Sequence, residues 1–189
     1  INFAKENNLK KYPVHIKFNT GLNRLGFIND DTHQIIEAFK SNNNSIKLQS
    51  VFSHLAASED LNEIDFTKNQ IKRFESIRKT IINAFEHPID FHLTNTSGII
   101  NYPEAHYDMV RLGIGMYGFG NDTKETKQLK NVGSLKTIIS QIHTINPGDS
   151  LGYNRAFIAE SEIKTATLPI GHADGISREL GKGKGSVTI

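Results

Sequence analysis

The chain has 189 residues, 37% hydrophobic and 22% charged, enough to stay soluble and to bury the core of one ordinary domain, or one and a piece of another. Its 22 Lys and Arg against 20 Asp and Glu leave a formal charge of +2, too balanced to make nucleic acid or an anionic membrane the main partner. Cysteine is absent, which excludes disulfides and thiolate chemistry and fits a reducing cytosol; no apolar run approaches the ~20 residues that span a bilayer, and no signal peptide is visible.

Residues 1–12 read as a helix end running into a loop closed by Pro13. Val14 to Phe18 alternates like a strand and stops at the turn-forming Asn19, Thr20 and Gly21. Asp30 and Asp31 offer an N-cap to a helix carrying Ile35, Ile36 and Phe39 on one face, and a polar loop from Ser41 to Ser45 follows. Leu48 to His54 is the second strand. The long helix after it repeats apolar residues at threes and fours (Phe66, Ile71, Phe74, Ile77, Ile81, Phe85) and is ended by Pro88. Phe91 to Asn95 is a third strand, Thr96 to Ile100 a short helix whose first threonine can cap it, and Met109 to Ile114 a fourth strand.

Strands alternating with helices indicate a parallel sheet, and four such units suit half of a (β/α)8 barrel. Functional residues in a barrel gather at the C-terminal strand ends. Those ends carry Lys17 and Arg24, His54, Asn95 and Thr96, and Arg111 and Gly113. Residues 121–132 are polar and lysine-rich, a linker. From 133 to 189 helical periodicity disappears: Leu135 to Ile145, Ser150 to Ile158 and Ile163 to Ile170 are β-type, with turns at Asn146 to Asp149 and Ala159 to Glu162. This is the beginning of an all-β domain. A start at Ile1 without methionine and a close on the alternating Ser186 to Ile189 are what an interior segment of a longer polypeptide would show. Gly181 to Gly185, glycine alternating with lysine, lacks the strand-to-helix setting of a phosphate cradle and reads as a turn.

The stretch from Tyr107 to Gly118 holds the strongest single signal. An apolar run carries Arg111 in its middle and ends in glycines. A guanidinium is almost never fully buried without a partner, so this one asks what it pairs with. A core ion pair with a carboxylate is one answer. The glycines permit the other, the close backbone approach that a bound phosphate needs.

Six stretches, in order, give the chain its resemblance to bacterial alanine racemase: Lys17 to Phe27 (KFNTGLNRLGF), Ser53-His54, Thr94 to Ser97 (TNTS), Met109 to Ile114 (MVRLGI), Pro147 to Tyr153 (PGDSLGY) and Pro169 to Gly175 (PIGHADG). That family is a pyridoxal 5'-phosphate (PLP) enzyme, a (β/α)8 barrel followed by a β domain. The resemblance implies that residues 1–120 are the C-terminal half of the PLP-binding barrel. It implies a cytoplasmic isomerase that interconverts L- and D-alanine and supplies D-alanine for peptidoglycan. Arg111 would face the pyridine nitrogen of the cofactor, and His54 would support it. Tyr153 would be one of two bases on opposite faces of the α-carbon, contributed to the partner's active site in a homodimer. Arg24 would contact the cofactor's phenolic oxygen and the substrate carboxylate, and Lys17 matches a lysine that many members carbamylate. Thr96, Gly113 and Ile114 would bind the phosphate, with Asn95 close by. No metal is implied.

Several positions depart from the family. No stretch matches the Lys-x-Asn-Ala-Tyr-Gly-His-Gly motif that bears the Schiff-base lysine, so these 189 residues alone are expected to be inactive. His172 stands where a tyrosine lines the substrate entrance, Thr96 replaces a serine, and Asn19 replaces a common aspartate. The alternatives within reach of the same residues are a related racemase of serine or broader specificity, and a non-catalytic module that binds PLP or only dimerises.

Overall fold

The computed structural model describes residues 1–181 and 183–189, and Lys182, in the expected glycine-lysine turn, lies outside the described residues. The chain divides into two compact units, Ile1–Gly133 and Ser134–Ile189. The first is α/β. It runs α1 (Asn2–Glu6), β1 (Tyr12–Lys17), α2 (Thr32–Ser41), β2 (Ile46–Phe52), α3 (Ile64–Ile82), β3 (Asp90–His92), α4 (Thr96–Asn101) and α5 (Thr123–Thr126). The three strands form one parallel sheet in the order β1-β2-β3.

Periodicity decides what each element buries. On α3 the stripe Gln70, Phe74, Ile77 and Ile81 is buried at spacings of four, three and four. With Ile35, Ile36 and Phe39 of α2 it belongs to the core that holds Phe18, Leu48, Val51, Phe91 and Leu93 of the sheet and its strand ends. Deleting a ring such as Phe74 from this core would cost about 3–5 kcal/mol. The opposite face of the sheet is polar. Register pairs His15 with Ser50, Lys17 with Phe52, Ser50 with Asp90 and Phe52 with His92, so these six share that face. A bulge creates the match: Val14 pairs with Leu48 but His15 with Ser50, and the extra residue, Gln49, turns Ser50 away from the side of Leu48.

Several sequence expectations are corrected here. Met109 to Ile114 forms no strand. Just before it Asp108 N–H meets Phe91 O (3.1 Å), within it Arg111 N–H meets Thr94 O (3.2 Å), and the backbone then turns into a 3-10 segment, Ile114–Tyr117. The Thr96 hydroxyl accepts from the N–H of both Gly113 and Gly115 and draws the backbone off the ladder. The sheet therefore has three strands where four were expected. The long helix ends at Ile82, well before Pro88, and its first aromatic, Phe66, stays 39% exposed. Asp31 precedes α2, but its carboxylate accepts from Ile28 N–H behind it (2.9 Å). Asn95, not Thr96, caps α4, its side-chain oxygen accepting from Gly98 N–H at 2.9 Å.

The stretch expected as a linker contains α5, and Glu125 on it is 1% exposed. Its carboxylate accepts from Ser97 Oγ (2.9 Å), Asn101 Nδ2 (3.0 Å) and Asn121 N–H (2.9 Å), tying this segment to α4.

The second unit is built from antiparallel pairs: β4 (Gln141–Ile145) with β7 (Ile163–Thr167), and β5 (Ser150–Leu151) with β6 (Phe157–Ile158). Asn146 to Asp149 turns as expected, with Asp149 N–H bonding Asn146 O and Gly148 at φ +89. Leu135 to Ser140 and Ser186 to Ile189, expected as β, form no strand.

Candidate active site

Arg111 reaches across the C-terminal ends of β2 and β3. Its Nη2 donates to Ser53 O (2.6 Å), Leu93 O (3.1 Å) and His54 Nδ1 (3.1 Å), and its Nη1 donates to His92 Nδ1. The guanidinium carbon lies 5.4 Å from the centroid of Phe52, and Phe52 stacks on His92 with centroids 4.9 Å apart and planes 5° apart. Every acceptor is neutral. Among the described residues the only ion pair joins Arg78 to Glu75 (3.3 Å), so the core ion pair left open by the sequence is not what Arg111 makes. Burial lowers the proton affinity of the guanidinium, which still keeps its charge.

Both imidazoles must be neutral to accept from an arginine, and their surroundings make them so. Burial and then Arg111 hold His54 below the ordinary histidine range, with smaller pushes from Arg24 and Lys17. For His92 burial, then Arg111, then His15 bring the value down to about 4 against an opposing pull from Asp90.

Lys17 at the end of β1 is lowered by burial first, then by Arg24 and Arg111. Three cations thus converge with His54. The loop that brings Arg24 there is shaped by Asn19: its side-chain oxygen accepts from Gly21 N–H (3.1 Å) and Asn23 N–H (2.9 Å), and its amide donates to Asn23 Oδ1 (2.9 Å). An aspartate could not make the last bond. The loop closes where Phe27 N–H meets Lys17 O (2.9 Å) and Asn19 N–H meets Phe27 O (2.7 Å). Gly26 sits at φ +121 there, and a Cβ would fall 2.8 Å from Phe18 C, so no larger residue fits.

Beside Arg111, Thr96 Oγ1 receives the Gly113 and Gly115 N–H groups at 3.1 Å each, with Ile114 between them. Asn95 is occupied on the other side, accepting from Ser58 Oγ at 2.7 Å as well as capping α4. Within the first unit, then, Lys17, Arg24, His54 and Arg111 form one cluster, and Asn95, Thr96, Gly113 and Ile114 adjoin it.

The second unit carries the other two expected residues. Tyr153 is 99% exposed in a 3-10 turn whose next residues, Asn154 and Arg155, have φ +54 and +51. His172 Nδ1 bonds Ile176 O at 2.9 Å.

Sequence reasoning missed His92 and Gln70. Gln70, 1% exposed on α3, accepts from Ala56 N–H (2.9 Å) and donates to His54 O (3.3 Å), which steadies the loop bearing His54. A glutamine inside an apolar helical stripe was the available signal for it. His92 had none beyond its place in a strand.

Comparison with known proteins follows this division. Family models match twice: "Alanine racemase, N-terminal domain" over residues 1–120 and "Alanine racemase, C-terminal domain" over residues 132–189. An alanine racemase of Fusobacterium nucleatum is 40% identical over 178 residues, which is 90% of this chain and 47% of that protein. The crystal structure of alanine racemase from Streptomyces lavendulae, a D-cycloserine producer, superposes with a TM-score of 0.78 at 24% identity, over 95% of this chain and 48% of that one. Alanine racemase from Bartonella henselae, solved with covalently bound pyridoxal phosphate, gives 0.71 at 24% identity, over 95% and 48%. The chain spans about half the length of the curated relatives it matches.

Proposed function

This chain belongs to the alanine racemase family, and from that premise we infer that it supplies part of the active site of a PLP-dependent racemase that interconverts L- and D-alanine. The observation that carries the reading is the charge of Arg111, held by two carbonyls and two neutral imidazoles with no carboxylate against it. With Lys17 and Arg24 it makes a cationic patch suited to an anionic ligand. The same residues fit the cofactor's chemistry. The Thr96 hydroxyl accepts from the Gly113 and Gly115 N–H groups and keeps its own proton to donate, on a turn packed so closely that a Cβ on Gly115 would lie 2.7 Å from Thr96 Cγ2. Thr96, Gly113 and Ile114 would hold the phosphate, with Asn95 close by, and Arg111 the ring nitrogen.

When bound, PLP supplies an electron sink conjugated to the α-carbon. Arg111 can donate a hydrogen bond to the ring nitrogen but cannot give up its proton, which leaves that sink weak and favours return of the α-proton. Arg24 orients the substrate carboxylate. Tyr153, fully exposed on its own chain, suits a role across a homodimer interface as the base on one face of the α-carbon. The depressed proton affinity of Lys17 suits carbamylation, since the free amine is the form that reacts with CO2. His172 lines the substrate entrance. In this reading the sheet is the second half of a (β/α)8 barrel, and the enzyme works in the cytoplasm to supply D-alanine for peptidoglycan.

The test is incubation with PLP and L-alanine in deuterium oxide. The 189 residues alone are expected to give no D-alanine, because the lysine motif is missing. Placed behind a segment bearing that motif, they are expected to give D-alanine with deuterium at the α-carbon, and Arg111→Met is expected to abolish it. Racemisation that survives Arg111→Met would overturn the assignment.

A further inference from the structure

We propose that Ser50 and His15 are positioning residues, the outer links of a one-way hydrogen-bonded line that fixes the His92 ring and, through it, Arg111. The inference extends the reading of Arg111 given above, although the line itself stands on geometry alone. Arg111 Nη1 meets His92 Nδ1, His92 Nε2 meets Ser50 Oγ at 3.3 Å, and Ser50 Oγ meets His15 Nδ1 at 2.5 Å. Ser50 is fully buried and His92 6% exposed, whereas His15 is exposed. The three side chains come from three different strands and share the polar face of the sheet because of the bulge at Gln49.

The arginine fixes the direction of the bond it makes. A guanidinium only donates, so His92 Nδ1 must accept and the imidazole proton sits on Nε2. That proton is donated to Ser50 Oγ. Serine is the one ambiguous link, because a hydroxyl can donate as well as accept. Were it to donate to His92 Nε2, the ring proton would move to Nδ1 and point at the arginine's own N–H. His15 removes the ambiguity: its Nδ1 takes the Ser50 proton and leaves the serine oxygen free to accept. Stacking on Phe52 fixes the plane of the His92 ring, and this line fixes which nitrogen faces the arginine.

Nitrogen-15 NMR of the histidine-labelled chain tests this without any cofactor. In the unsubstituted protein His92 is expected in the Nε2–H form. In His15→Ala and in Ser50→Ala that preference is expected to fall by about tenfold, roughly the worth of one hydrogen bond, and Ser50→Thr, which keeps the hydroxyl, is expected to restore it. His15 is exposed, so His15→Ala decides the matter if Ser50→Ala fails to fold. An unchanged His92 tautomer in folded His15→Ala overturns the proposal. Loss of the preference in the substituted chains, together with no racemisation when the unsubstituted chain is placed behind a segment bearing the lysine motif, would leave the line standing and reject only the racemase reading.

Discussion

Arg111 brings a full charge to a place where only carbonyls and imidazoles receive it, and the cost falls on the histidines around it. His92, held near 4, stays neutral where an unfolded histidine, near ~6.5, would be protonated. Between those values the unfolded chain binds a proton that the folded one refuses, so stability falls as pH is lowered through that window and is recovered above it. Urea midpoints measured at about pH 7 and about pH 5 are expected to show this decline, and His92→Gln is expected to flatten it. The presence of a charge at position 111 was legible, because an arginine inside an apolar run is conspicuous. Its receivers were not. Ser53 and His92 lie 58 and 19 residues away, and nothing local distinguishes His92 from the chain's other histidines.

At the scale of elements, α4 is held from two sides. The Thr96 hydroxyl gathers the glycine turn, and Glu125 on α5 receives Ser97, Asn101 and Asn121. Glu125→Ala would leave buried donors without an acceptor, and a loss of about 1–3 kcal/mol in unfolding free energy is expected, with faster amide exchange along Thr96–Asn101. Gly115→Ala drives a methyl into Thr96 and is expected to cost a similar ~1–3 kcal/mol, read from the same denaturation curves. Strand and helix positions were readable from periods of two and about four. The lysine-rich composition of 121–132 pointed to a linker and gave no hint of Glu125, whose burial depends on donors that α4 presents from more than 20 residues away.

For the whole molecule, the contact boundary between Gly133 and Ser134 falls in a stretch, 131–140, that is exposed and without secondary structure. Brief trypsin treatment is expected to cut first at Lys130 or Lys136 and leave a stable fragment ending there, identified by mass spectrometry. Protection of both sites would contradict the division into two units. Local patterning was enough to determine that β-α units come before antiparallel β pairs, and that Lys17 ends one strand while His54 follows the next, because these depend on spacings of a few residues. Only the tertiary structure decided that Met109 to Ile114 leaves the sheet, that a one-residue bulge at Gln49 sets Ser50 beside His15, and that His92 completes the setting of Arg111. Those outcomes depend on register between strands and on which donor meets which acceptor across the fold, energies that no short window of sequence contains.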